Sequence, residues 1–93
     1  LTSSTASMQG GQYGVVKLNQ DSWTDVNEKS VTAYFKSKTL AEKAAWEFIQ
    51  NQNGDSKLEL VVINPGPIYG PTLTGNLVSE SMDFFLSNNQ FLD

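Results

Sequence analysis

The stretch from Val31 to Asn51, VTAYFKSKTLAEKAAWEFIQN, contains neither glycine nor proline and is rich in Ala, Leu, Glu and Lys. Helix propensity is therefore high along its whole length, and the stretch predicts a helix. Ala33, Ala41, Ala44, Ala45, Phe48 and Ile49 recur at helical spacing with Leu40 beside them, which predicts the core-facing stripe. Lys38 and Glu42 stand four apart, as do Lys43 and Glu47, and such pairs add ~0.2–0.5 kcal/mol each. Ser30 is the expected N-cap and Asn53-Gly54 the expected stop.

The flanking segments set the fold class. Leu58 to Ile63, LELVVI, is a short run of β-formers and predicts a strand. Its near-continuous apolar character predicts burial on both faces, as in a parallel sheet. Asn64-Pro65-Gly66-Pro67 ends it, and Ile68-Tyr69-Gly70-Pro71 continues as an ordered turn. At the other end, Leu1 to Ser7 reads as the close of a buried strand running into small hydroxyl residues. Gln9 to Asp21 reads as a loop because Gly10, Gly11 and Gly14 disfavour a helix. Trp23 to Lys29 reads as loop with a short turn. A second helix is expected from Asn76 to Leu86, with Leu77, Met82, Phe84 and Phe85 at helical spacing. Asn88 to Asp93 follows with no clear stop.

Strand, long loop, helix, strand, turn, helix is the alternation of a doubly wound α/β domain. A parallel sheet needs several strands covered by helices on both faces, and two strands with two helices do not supply that. No start Met is present. The chain is therefore expected to be a segment of a larger protein, with a small free-standing α/β domain as the alternative.

Composition narrows the chemistry. Lys plus Arg is 6 and Asp plus Glu is 10, a formal net charge of −4. With no basic run, neither a nucleic acid nor a membrane surface is expected as partner. The apolar runs are too short to span a bilayer, and there is no signal-peptide pattern. The chain has no Cys and no His. Thiol chemistry, Ser-His-Asp catalysis and Cys or His metal sites are excluded within it, and acid–base work falls to Asp, Glu, Tyr or Lys. Absence of Cys suits a reducing, cytoplasmic setting.

Tyr34 and Lys38, four apart on the long helix, share a face. An ammonium beside a phenol favours the phenolate and makes the phenol a usable proton donor near neutrality. The spacing alone is weak: Tyr13 and Lys17 repeat it within the glycine-rich loop. Ser3, Ser4, Thr5 and Ser7 cluster at a predicted strand end, where ligands sit in open α/β sheets. They read equally as a capped turn. The turn from Asn64 to Pro71 is rigid enough to approach a flat ligand closely, or it is an ordinary connection. Trp23 and Trp46 are expected to pack rather than to bind ligand. The acidic residues are scattered and form no metal loop or catalytic carboxylate pair.

TSSTAS, YFKSKTLAEKAAW and LELVVINPGPIYGP, in that order over nearly the whole chain, resemble the middle of an extended short-chain dehydrogenase/reductase. The likeness is to the dihydroflavonol-reductase-like branch of this epimerase/dehydratase family. The resemblance implies a Rossmann-like doubly wound parallel sheet. Residues 1–93 would form the central to C-terminal portion of its NAD(P)-binding domain, and the substrate-binding part would begin near 72–93. It implies reversible hydride transfer between a nicotinamide and the carbonyl carbon of a small aldehyde or ketone, with NADP as cofactor and NAD as an alternative.

The resemblance also implies roles. Ser4 matches the catalytic Ser, with Ser3 and Thr5 as alternatives. Tyr34 matches the catalytic Tyr, and Lys38 the catalytic Lys that also holds the nicotinamide ribose. Pro65 and Ile68 match the turn that packs on the nicotinamide, and Ser79 falls near a cofactor-facing Ser of some relatives. The Gly-rich dinucleotide fingerprint is absent, so the isolated segment is expected to be inactive. Gln9 stands where plant dihydroflavonol reductases carry a substrate-contacting Asn, so a flavonoid substrate is not expected. A nucleotide-sugar epimerase or dehydratase, a non-catalytic NAD(P)-binding relative and a small interaction domain are the competing readings.

Overall fold

The computed structural model describes residues 1–12, 14–75 and 79–89. Tyr13, Asn76, Leu77 and residues 90–93, each named above, lie outside them. Three helices are present among the described residues: α1 (Ala6–Gln9), α2 (Ala33–Gln50) and α3 (Glu80–Asn89).

α2 is the long helix expected from composition, but its cap differs. Thr32, not Ser30, is the N-cap: its backbone is extended, with ψ 164°. Its hydroxyl accepts the Phe35 N–H at 3.4 Å, the first-turn bond that a capping hydroxyl makes. The buried side also differs. Thr39 and Glu42 are the buried residues of α2, whereas Leu40 and Phe48 are 56% and 62% exposed. The most covered row therefore follows Phe35, Thr39, Glu42 and Trp46; of the apolar stripe read from the sequence, Ala45 and Ile49 are half-buried, while Ala33, Leu40, Ala41, Ala44 and Phe48 are exposed. Apolar residues are spread over more than half of the helix circumference, interleaved with Lys38 and Glu42, so periodicity alone could not choose its inner side. Neither expected helical ion pair organises the surface: Glu42 turns inward and the Lys43 ammonium lies 5.3 Å from the Trp23 ring centre.

After Gln50 the chain reverses through Gly54, whose φ of +99° is open to glycine at no steric cost. The Gln52 side chain fastens this turn. Its amide donates to the carbonyls of Ile49 (3.1 Å) and Leu58 (3.0 Å), and its oxygen accepts from Leu58 N–H (2.8 Å).

The two predicted strands meet side by side and parallel, but only one isolated bridge, Thr2 to Ile63, forms among the described residues. Leu1 N donates to Val61 O (2.9 Å), Ile63 N to Leu1 O (3.0 Å) and Ser3 N to Ile63 O (2.8 Å). The next bond of a parallel ladder would need an N–H from residue 65, and Pro65 has none. The contact resumes one step on, with Thr5 N donating to Pro65 O at 3.0 Å. Burial of 58–63 on both faces is not observed: Leu58, Val61 and Ile63 are 66%, 75% and 64% exposed. Leu60 and Val62 are half-buried. One neighbouring segment and one helix can cover one side of such a run, not both.

Within the hydroxyl cluster the chain turns into α1, a helix that the reading of Leu1 to Ser7 as a strand end and of Gln9 onward as loop missed. α1 packs against α2. Ser7 is fully buried there, and Thr24 latches the outer end. The Thr24 hydroxyl donates to Ala6 O at 2.6 Å and accepts from Gly10 N–H at 2.7 Å, while Thr24 N–H donates to Ser7 O at 2.8 Å. The buried apolar residues among those described are Ala6 and Val31, against buried Ser3, Ser7, Thr24, Thr39 and Glu42. The centre of this structure is thus mainly polar and hydrogen-bonded.

α3 begins later than the predicted Asn76. Ser79 caps it, its hydroxyl accepting Met82 N–H at 3.0 Å and its carbonyl accepting Asp83 N–H at 2.9 Å. Ser81 anchors the preceding turn by accepting Ile68 N–H at 2.9 Å.

The close approach at Gly10 is testable. A Cβ there would lie 2.6 Å from Thr24 Cγ2 and 3.0 Å from Phe35 Cδ1. Gly10→Ala is expected to destabilise the protein by ~1–3 kcal/mol through overpacking. That exceeds the ~0.4–1 kcal/mol that reduced unfolded-state entropy returns. A lowered urea midpoint measures it; an unchanged or raised midpoint refutes the close packing of Gly10 on Thr24.

Candidate active site

The site is assembled where three segments meet: the hydroxyl cluster at the start of α1, the inner face of α2, and the turn that begins at Asn64. Glu42 stands at the junction. Its Oε2 accepts from Ser3 Oγ at 2.6 Å, Ser7 Oγ at 2.6 Å and Asn64 Nδ2 at 2.9 Å, and its Oε1 accepts from Trp46 Nε1 at 3.2 Å. An ionised carboxylate is an acceptor only, with about four lone-pair positions, and four donors meet it. No buried side-chain polar atom among the described residues lacks a partner.

Sequence reasoning did not single out Glu42. The available signal was its place in the i+4 row Tyr34, Lys38, Glu42 and Trp46, with a cluster of hydroxyls elsewhere in the chain that needed an acceptor.

The same geometry distinguishes the hydroxyls. Ser3 is buried and committed to Glu42. Ser7 is fully buried, its single proton shared between Glu42 and Ser4 O, which lies 2.8 Å away. Ser4 is half-buried, and its Oγ accepts the Ala6 N–H at 3.0 Å, which leaves its own proton free to donate. Thr5 is half-buried and binds Pro65 O through its backbone.

Tyr34 and Lys38 are brought together. Both are half-buried, and the Lys38 ammonium lies 5.9 Å from the Tyr34 ring centre. Phe35 meets the Tyr34 ring edge-on at 6.3 Å. Ser37 donates to Tyr34 O at 2.8 Å.

Pro65 is tied to the hydroxyl segment through its carbonyl. Ile68 is 68% exposed, with its N–H held by Ser81. The turn therefore presents an apolar side chain on a backbone fixed at both ends. Ser79 sits apart from these groups in its observed contacts, its hydroxyl engaged in capping α3. A cleft of about 410 Å³ opens beside the N-terminus of α2, lined by Gln9, Gln12, Val16, Leu18, Val31 and Phe35 among others; Ser4, Tyr34 and Lys38 do not line it. Among the described residues no group of acidic side chains could hold a metal ion, and no helix is long and apolar enough to cross a membrane.

Glu42 couples the junction to pH. Burial pushes its carboxyl up, but the hydrogen bonds from Ser3, Ser7, Asn64 and Trp46 outweigh that and hold its pKa below the ordinary value. The native state therefore binds this proton less readily than the unfolded chain. The stabilisation is fully present above the unfolded-state value of about 4.3 and is lost as pH falls through the lower native one. The urea midpoint of the protein is expected to drop on acidification below about pH 5. Glu42→Gln is expected to start lower at neutral pH and fall less steeply. Parallel pH profiles of the two proteins would contradict the assignment.

No protein-family model matches the chain, and no solved structure matches it significantly. Curated relatives do. An uncharacterized oxidoreductase of Saccharomyces cerevisiae is 42% identical over 55 residues, which cover 59% of this chain and 16% of that protein. The NADPH-dependent methylglyoxal reductase of the same yeast is 40% identical over 71 residues, 71% of this chain and 21% of that one. An anthocyanidin reductase of Vitis vinifera is 33% identical over 103 aligned positions, covering 99% of this chain and 29% of that protein. The chain spans from 16% to 29% of the length of these relatives. The first is named an oxidoreductase and the other two reductases. The resemblance read from TSSTAS, YFKSKTLAEKAAW and NPGPIYGP is thus matched by homology: the homologues of this chain are reductases of the extended short-chain dehydrogenase/reductase family, of the dihydroflavonol-reductase-like kind.

Proposed function

We propose that these residues form the catalytic segment of an NADP(H)-dependent reductase of small aldehydes or ketones, with Ser4, Tyr34 and Lys38 as its reacting groups. The observation that carries this reading is the convergence of Tyr34 and Lys38, both half-buried on one face of α2, with the ammonium 5.9 Å from the ring centre. The Ser4 hydroxyl, unlike that of Ser3, keeps a proton to donate. In this reading residues 1–93 are the central to C-terminal portion of a Rossmann-like NAD(P)-binding domain. The parallel Thr2–Ile63 pairing belongs to its sheet, and the substrate-binding part begins near 72–93. The setting is cytoplasmic, and the partner is a small carbonyl compound.

The residues present suit the nicotinamide end of the cofactor. Lys38 offers donors for a ribose hydroxyl, and the turn from Pro65 to Ile68 offers an exposed apolar side chain on a fixed backbone. The nicotinamide cofactor, when bound, supplies the hydride. The protein's own part is acid catalysis and alignment. Ser4 donates a hydrogen bond to the substrate oxygen and fixes its direction. Tyr34 delivers the proton that this oxygen needs as the carbonyl becomes an alcohol. The Lys38 charge stabilises the negative charge left on the Tyr34 oxygen.

Tyr34→Phe removes the proton donor and keeps the ring. In the protein that carries this sequence, followed by NADPH oxidation with simple aldehydes and ketones, kcat is expected to fall ~10²–10⁴-fold. Turnover unchanged by Tyr34→Phe would overturn the reading.

A further inference from the structure

We propose that Glu42 is a positioning residue of the reaction, its carboxylate setting where Ser4 stands relative to Tyr34 and Lys38. The inference deepens the Ser4, Tyr34, Lys38 reading and rests on it. Two bridges connect Glu42 to the backbone of Ser4. The Asn64 amide lies 2.9 Å from Glu42 Oε2 and 3.0 Å from Ser4 O, and with two protons it can serve both. Ser7 Oγ lies 2.6 Å from the same carboxylate oxygen and 2.8 Å from Ser4 O. Ser3, the residue before Ser4, donates directly to Glu42 at 2.6 Å. Ser4 is thus held from its preceding residue and from its own carbonyl, and each restraint returns to one oxygen atom.

That oxygen belongs to the helix that carries Tyr34 and Lys38. Glu42 stands one i+4 step beyond Lys38 and two beyond Tyr34, so α2 is a rigid ruler between the proton donor and the anchor of Ser4. Asn64 precedes Pro65, which brings the turn to the same anchor. Simple attachment of α1 to α2 would not require a charge, since apolar residues of similar volume often stabilise as well as a buried ionic group. What an apolar side chain cannot do is accept three donors converging from two other segments at fixed angles.

Glu42→Gln tests this in the protein that carries this sequence. One oxygen becomes an NH₂, so a donor must face either Trp46 or the Ser3, Ser7 and Asn64 side, and Ser4 loses its fixed place. A kcat loss on the order of 10–10²-fold is expected, with KM for NADPH little changed. The decisive readout is the double-mutant cycle with Ser4→Ala. If Glu42 acts through Ser4, adding Glu42→Gln to Ser4→Ala costs less than about a further twofold. If Glu42→Gln leaves kcat intact, or the two losses multiply, the positioning role is overturned while the site reading stands. If Ser4→Ala and Tyr34→Phe both keep full turnover, the site reading itself falls, and this inference with it. Should circular dichroism show Glu42→Gln unfolded, Ser7→Ala removes one bridge only and is judged by the same cycle.

Discussion

A carboxylate buried among hydroxyls is the constraint on which this arrangement depends. Removing a charge from water is costly unless hydrogen bonds replace the lost hydration. Glu42 meets that condition only when Ser3, Ser7, Asn64 and Trp46 all reach it. Two of these donors come from the hydroxyl segment, one from the turn after Ile63 and one from α2 itself. Satisfying one charged group therefore places three parts of the chain. Buried polar groups are directional in a way that apolar contacts are not, so they specify geometry as well as proximity.

The polar centre also explains how a structure with little buried apolar surface holds its functional groups. Thr24 closes the outer end of α1 with two short hydroxyl bonds, and the tight fit at Gly10 lets it do so. Lys43 lies over Trp23 and draws the segment before α2 onto that helix. The backbone bonds between 1–5 and 61–65 run parallel until Pro65 interrupts them. Of these contacts the one between Lys43 and Trp23 reaches α2 directly, and α2 carries Tyr34 and Lys38.

Much of this was readable residue by residue. The helix over Ala33 to Gln50 follows from a stretch of strong helix formers without Gly or Pro. The convergence of Tyr34 and Lys38 follows from 3.6-residue periodicity once that helix exists. The family likeness was carried by short motifs whose order along the chain is more specific than any one of them. The inner side of α2 was read wrongly, because Leu40, Ala41, Ala44 and Phe48 satisfy an apolar pattern as well as the true inner row does. α1 was missed because a single turn of Ala-Ser-Met-Gln carries almost no propensity signal and depends on packing. The N-cap moved from Ser30 to Thr32, a two-residue shift within a run where both are good capping residues.

By itself, the sequence determined the elements whose causes are local: the extent of α2, the breaks at Gly54 and Pro65, and the face shared by Tyr34 and Lys38. It also determined that these 93 residues bring neither a thiol nor an imidazole to the site. Tertiary structure alone decided the direction in which α2 faces, the parallel contact between Thr2 and Ile63, and the burial of Glu42. It also decided that Ser3 is spent on that carboxylate while the Ser4 hydroxyl keeps a proton to give. The physical reason is range. Propensity and periodicity act over a few residues, whereas the partners of Glu42 lie as far as 39 residues away along the chain. Their mutual need for hydrogen bonds becomes effective only once folding has removed the water between them.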